Sequence, residues 1–137
     1  MSKIFYKSGY KYQLEDDYSV FLGFFPLKAI SDSYITFSTI GVLKIKSGYA
    51  WDGPSGPTID TKNFMRGSLV HDALYQLMRE KYLDHVTYRE SADRALQTIC
   101  KEDGMSSIRA WYVYHSVRLF GDPSANPDNE KPVVEAP

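Results

Sequence analysis

The apolar residues of this chain change their period once, at a glycine- and proline-rich loop, and that change limits the fold more than any other feature. Ahead of the loop, "SYITFSTIGVLKIKSGYAW" is rich in Tyr, Ile, Thr, Phe and Val and is punctuated by Gly41 and Gly48, the chemistry of strands and hairpins. The upstream "YSVFLGFFPLKAI" is also expected to be extended, with Gly23 and Pro26 interrupting it. Within it, Val20, Phe21, Leu22, Phe24 and Phe25 can be read as a membrane-touching surface, but a buried strand is the favoured reading, because such residues ordinarily lie inside. Beyond "WDGPSGP" the period becomes helical. Val70, Ala73, Leu74, Leu77 and Met78 recur at i, i+3, i+4, i+7 and i+8, one buried stripe on a first core helix.

A second helix is expected from "TYRE", where Thr87 and Glu90 have the spacing of a capping box, to about Lys101, with Gly104 beyond and Ala92, Leu96, Ile99 and Cys100 on its apolar face. A third should start at Ser106 or Ser107, run through Phe120 and stop at "GDP", with Gly121 as its cap. Its Trp111, Tyr112 and Tyr114 read as core or helix-packing residues. The fold class is therefore α+β. One domain is expected over residues 1–121, with a β-rich part (1–48) and a loop-plus-helix part (49–121), while the polar, proline-rich residues 122–137 read as a disordered tail. No internal repeat suggests a solenoid.

Length and charge narrow the function classes. A chain of 137 residues can bury a core without disulfides, and its single cysteine, Cys100, rules out an internal disulfide framework and is compatible with a reducing cytoplasm. A net charge of −1 provides no overall basic field for nucleic acid or an anionic membrane, so no nucleic-acid partner is expected. The start, "MSKIFYKSGYKY", lacks an apolar signal core, and no apolar run approaches the roughly 18 residues that span a bilayer, which reads as a soluble chain without a cleaved leader.

Chemistry enters where the elements combine. Helices joined by a short connection pack antiparallel, so His71 on the first and Asp93 on the second can face each other across the seam. A carboxylate on the imidazole N–H fixes the tautomer and leaves the other ring nitrogen free to take a proton from water, a general-base dyad. Asp72 projects about a third of a turn away from His71 and can point toward the loop. There Asp52 adds a carboxylate and Gly53 a main-chain carbonyl, hard oxygens of the kind that calcium collects. His85 and His115 show no spacing for a zinc site. Each piece also has a plainer reading: "HD" within a core helix, Asp93 as a solvated helix residue, "DGPSGP" as a structural turn.

Taken in order, the Asp-Gly loop, "HDALY", "SADRAL" leading to a cysteine, and "AWYVYHSVRLFG" resemble the catalytic core of the secreted phospholipases A2 of bacteria and fungi. "GPSGPTID" ahead of "HDALY" is similar to the phospholipase A2 domain of parvoviral capsid proteins. The resemblance runs from Tyr49 to Gly121; with the N-terminal strands included, the layout is similar to a family of short phage and prophage proteins known only as a domain of unknown function. It implies that His71 is the base, Asp93 its carboxylate, Asp72 the calcium ligand from the helix, and Asp52 and the Gly53 carbonyl the ligands from the loop. It also implies that Tyr75, the tyrosine of the "HDxxY" motif, supports Asp93 by a hydrogen bond. The loop carries two prolines and none of the cysteines that pin it in secreted members. Two function classes follow. One is a calcium-dependent esterase acting at a phospholipid or membrane surface. The other is a non-enzymatic virion or accessory protein that contacts other virion proteins, located in the host cytoplasm or the virion.

Overall fold

The structure, a computed structural model, describes residues 3–7, 12–51 and 61–121. The expected 122–137 tail and the loop residues 52–60 lie outside them. The strands are β1 (Tyr6–Lys7), β2 (Tyr12–Leu14), β3 (Tyr18–Phe21), β4 (Ile30–Ser31), β5 (Ile35–Phe37), β6 (Val42–Ile45) and β7 (Ala50–Trp51). The helices are α1 (Lys62–Arg79), α2 (His85–Glu102) and α3 (Ser107–Phe120), which gives the expected α+β fold with its strands toward the N-terminus.

All pairing is antiparallel, in a three-stranded sheet ordered β1-β2-β7 and a four-stranded sheet ordered β3-β6-β5-β4. Register in the larger sheet follows alternation: Ile35, Phe37, Leu43 and Ile45 are fully buried, whereas Lys44 between them is exposed. Gly41 and Gly48 mark the turns, at φ of 86° and 94°. The aromatic run in and after β3 departs from the buried-strand reading. β3 is an edge strand, and Phe21 and Phe25 are 65% and 51% exposed, while Val20, Leu22 and Phe24 are half-buried against the core. An edge strand with one covered face buries alternate side chains only.

α1 is the central helix. Val70, Ala73, Leu74, Leu77 and Met78 are buried as the stripe predicts, but burial extends further round, to Phe64, Met65, Leu69 and Tyr75, because the sheets cover one side and α2 the other. The contacts run in opposite chain directions, Arg66 to Asp103, His71 to Asp93, so α1 and α2 are antiparallel. Gly67 sets how closely they approach. A Cβ there would sit 2.8 Å from the Cys100 Sγ and 3.0 Å from Leu96 Cδ1, a gap that only glycine leaves open.

α2 begins earlier than the Thr87–Glu90 spacing suggests. Its N-cap is Asp84, whose carboxylate accepts the Thr87 N–H at 3.1 Å and also the Thr87 hydroxyl. An aspartate three residues ahead of Thr87 caps the helix one turn sooner, so Thr87 presents the N–H that is capped instead of capping one itself. α3 starts as expected, with the Ser106 hydroxyl accepting from the Arg109 N–H at 3.2 Å. Its aromatic residues do not pack as expected. Trp111 and Tyr112 are 57% and 47% exposed and Tyr114 is half-buried, because the buried face of α3 is narrow and is supplied by Ala110 and Val113, with Val117 packed beside them.

Candidate functional site

His71 and Asp93 meet at the α1–α2 seam. Asp93 is wholly buried and His71 nearly so, and the imidazole Nε2 lies 2.7 Å from Asp93 Oδ1. The Tyr75 hydroxyl, one helical turn after His71, donates to the same Oδ1 at 2.5 Å, and the two rings are 4.0 Å apart at their centroids. With Nε2 as the donor to Asp93, the bare nitrogen is Nδ1; no described residue hydrogen-bonds to it.

The other carboxylate oxygen has a partner outside the set of residues implied by the motif. Arg118, in the last turn of α3, donates from Nη1 to Asp93 Oδ2 at 3.0 Å. Arg89, near the start of α2, donates to the Val117 and Arg118 carbonyls at 2.9 and 2.7 Å and through Nε to the Tyr75 hydroxyl at 3.3 Å. Gly121 closes the corner. Its backbone is right-handed, so the glycine is not needed as a left-handed cap; it is needed for space, since a Cβ would lie 2.7 Å from the Tyr75 hydroxyl.

Electrostatics follow from these contacts. Burial works to raise the Asp93 carboxyl, but the hydrogen bond and charge of His71 and the hydrogen bonds of Tyr75 and Arg118 outweigh it and hold the group below the usual carboxylate range. Burial, together with the adjacent Asp93 carboxylate, pushes the Tyr75 phenol well above its ordinary range, so it stays a donor. Arg118 is raised as well: its desolvation is more than offset by Asp93. Asp93 is thus an ionised, rigidly held acceptor that orients an imidazole, the support a general base needs.

Of the ligands implied for calcium, Asp72 is described, half-buried on α1 next to His71; Asp52 and Gly53 are not among the described residues. Two carboxylates and a main-chain carbonyl are hard oxygens and fit calcium by chemistry. Among the described residues alone, no group of three or more His, Cys, Asp or Glu can hold a metal. Also among the described residues, no helix is long and apolar enough to cross a membrane.

The signals for two of the missed groups were present. Arg66 lies four residues before Val70, on the buried stripe, and Arg89 lies three before Ala92 on the apolar face of α2. Arg118 gave no such signal. A cavity of about 660 Å3 opens elsewhere, between Val20–Phe24 and the Ser91, Ala95 and Thr98 side of α2, and neither His71 nor Asp93 lines it. Convergent polar groups, rather than the volume of a cavity, distinguish the candidate site.

No curated protein and no solved structure matches this chain. A family model described as "Protein of unknown function (DUF1353)" matches residues 30–117, which include His71, Tyr75 and Asp93 and stop one residue short of Arg118. With well over half its length matched, the chain belongs to the DUF1353 family.

Proposed function

We propose that this chain is a phage-type hydrolase of the phospholipase A2 kind, in which His71 activates water against a phospholipid ester. The observation that carries the reading is the shared Asp93 Oδ1, with His71 Nε2 at 2.7 Å and the Tyr75 hydroxyl at 2.5 Å. That arrangement holds the imidazole with Nδ1 as its free base. Nδ1 takes a proton as the water oxygen attacks the ester carbonyl; the imidazolium is stabilised by Asp93 and returns the proton to the departing alkoxide. Asp72, Asp52 and the Gly53 carbonyl would hold a calcium ion, which would supply positive charge for the carbonyl oxygen.

The test is fatty-acid release from mixed phospholipid vesicles, in calcium and in chelator. His71→Gln should lower turnover by about 100-fold or more, and Asp72→Ala should abolish the difference between calcium and chelator. Equal background release by the wild type and both variants would end the proposal.

A second reading, a virion or accessory component built on the same scaffold, draws support from α3. Ile108, Trp111, Tyr112 and Leu119 are 84%, 57%, 47% and 74% exposed and repeat at helical spacing, an apolar stripe suited to protein contact. Loss of assembly in Trp111→Asp, with no ester hydrolysis by the wild type, would favour this second role.

A further inference from the structure

The closed circuit around Asp93 assigns a task to an arginine outside the general-base dyad. We infer that Arg118 is a positioning residue: by occupying Asp93 Oδ2 it forces His71 and Tyr75 to share Oδ1, and so fixes the orientation of the imidazole whose Nε2–H that oxygen accepts. Arg89 holds Arg118 in place. The positional half of this inference stands on geometry alone, while its catalytic consequence rests on the proposed hydrolysis.

The Cβ–Cγ torsion of an aspartate is soft, so a buried carboxylate turns until both oxygens are satisfied. Three donors surround Asp93: His71 Nε2 and the Tyr75 hydroxyl at Oδ1, and Arg118 Nη1 at Oδ2. Removing the third leaves Oδ2 buried without a described partner, next to two donors crowded on Oδ1. The favoured response is rotation of the carboxylate so that His71 and Tyr75 take one oxygen each. The imidazole keeps a carboxylate acceptor, and with it the Nε2–H form, but it follows that oxygen to a new position and no longer shares it with Tyr75.

Arg118 can hold this position because its own backbone is tied down. Its carbonyl accepts from Arg89 Nη2 at 2.7 Å, the neighbouring Val117 carbonyl accepts from the same nitrogen at 2.9 Å, and Arg89 Nε reaches the Tyr75 hydroxyl at 3.3 Å. α2 therefore grips the end of α3 through Arg89, and α3 grips α2 through Arg118. Guanidinium on carbonyl oxygen and on carboxylate is directional, so the pair fixes angle as well as distance.

The test reads the His71 ring nitrogens by 15N NMR at about pH 9, where an ordinary imidazole is neutral. The full-length wild type and Arg118→Lys, which keeps a donor, should both show one protonated and one bare ring nitrogen. Arg118→Met should keep the Nε2–H form but show both ring-nitrogen shifts displaced from their wild-type values, with amide signals remote from the site unchanged. If the Met variant does not fold, Arg118→Ala gives the same reading. Wild-type ring shifts in the donor-less variant would overturn the inference. On vesicles, Arg118→Met should lower kcat by about 10- to 100-fold with KM unchanged, and Arg118→Lys should restore it. An inactive wild type with displaced ring shifts in Arg118→Met and wild-type shifts in Arg118→Lys would sink the hydrolase reading and leave the positioning role standing.

Discussion

Two buried polar centres lie along the same helix pair, and they are built in opposite senses. Near the N-terminus of α1 the buried group is a cation. Arg66 donates to both oxygens of Asp103 at 3.0 and 3.2 Å through Nε, to Asp103 and Glu102 at 2.9 and 2.8 Å through Nη2, and to the Tyr18 hydroxyl at 2.8 Å through Nη1. These bonds link α1, the end of α2 and β3. One turn further along α1, the buried group is an anion, Asp93, and its donors come from α1 and α3. Arg66 has the denser set of bonds, yet nothing in its cluster is poised to react, because an arginine fixed by carboxylates neither gives up nor takes a proton. The Asp93 cluster contains one titratable ring with a nitrogen that no described residue engages. Burial and pairing are common to both centres; what separates a candidate site from a structural clamp is the one valence left over.

The comparison is broken most severely by Arg66→Met, which leaves the Asp103 carboxylate, 14% exposed, and Glu102 without their cation. Stability should fall by about 3–5 kcal/mol, as for other broken buried pairs, with little change in the His71 ring signals. Urea denaturation measures the first and NMR the second. A loss under about 1 kcal/mol would mean that the Arg66 cluster is no stronger than a surface pair.

Asp93→Asn should have the next largest effect, about 2 kcal/mol, because the amide keeps one acceptor oxygen and turns the other into an NH2 donor, so that either Arg118 or the His71–Tyr75 pair loses its acceptor. This deficit has a pH signature. The folded Asp93 carboxyl lies below its unfolded value, so its contribution is complete above about pH 4 and fades as pH falls through the folded value. The gap between wild type and Asp93→Asn should therefore close in acid; a gap that widens there contradicts the charge assignment.

Smaller effects probe the helix seam that the two centres share. Gly67→Ala forces a Cβ to 2.8 Å from Cys100 Sγ. Overpacking of about 1–3 kcal/mol is partly offset by the roughly 1 kcal/mol that alanine gains over glycine in a helix, leaving a net loss of about 1 kcal/mol. Trp51→Phe removes the bond from Nε1 to the Ser68 hydroxyl at 3.0 Å, but that hydroxyl still donates to the Met65 carbonyl at 2.9 Å. A melting shift equivalent to about 0.5–1 kcal/mol is expected, below that of Gly67→Ala.

The sequence exposed the two centres unequally. His71 and Asp93 could be paired in advance because a short link between two periodic helices dictates antiparallel packing, and both residues interrupt otherwise apolar faces. Arg66 and Arg89 interrupt apolar faces too, but an arginine there is easily read as a long side chain reaching to solvent. Arg118 could not be found from α3 alone, since its partner is chosen by how the α3 end lies across α2. Aromatic residues misled in both layers. Residue type reads Phe21 as part of a buried strand and Trp111 as a core or helix-packing residue, whereas the edge position of β3 and the narrow contact face of α3 leave them exposed. Local chemistry marks the elements; which side of each is covered depends on neighbours distant in the chain.

The close fit of Gly67 against Cys100 makes the only thiol of the chain a native reporter. Burial, with the nearby Asp103 charge, pushes that thiol up to about 12, so the nucleophilic thiolate is scarce while the helices stay in contact. An alkylating reagent can then reach the sulfur only when the packing of α1 and α3 around this part of α2 opens. The rate of labelling at neutral pH becomes a clock for that opening, obtained without installing any foreign probe.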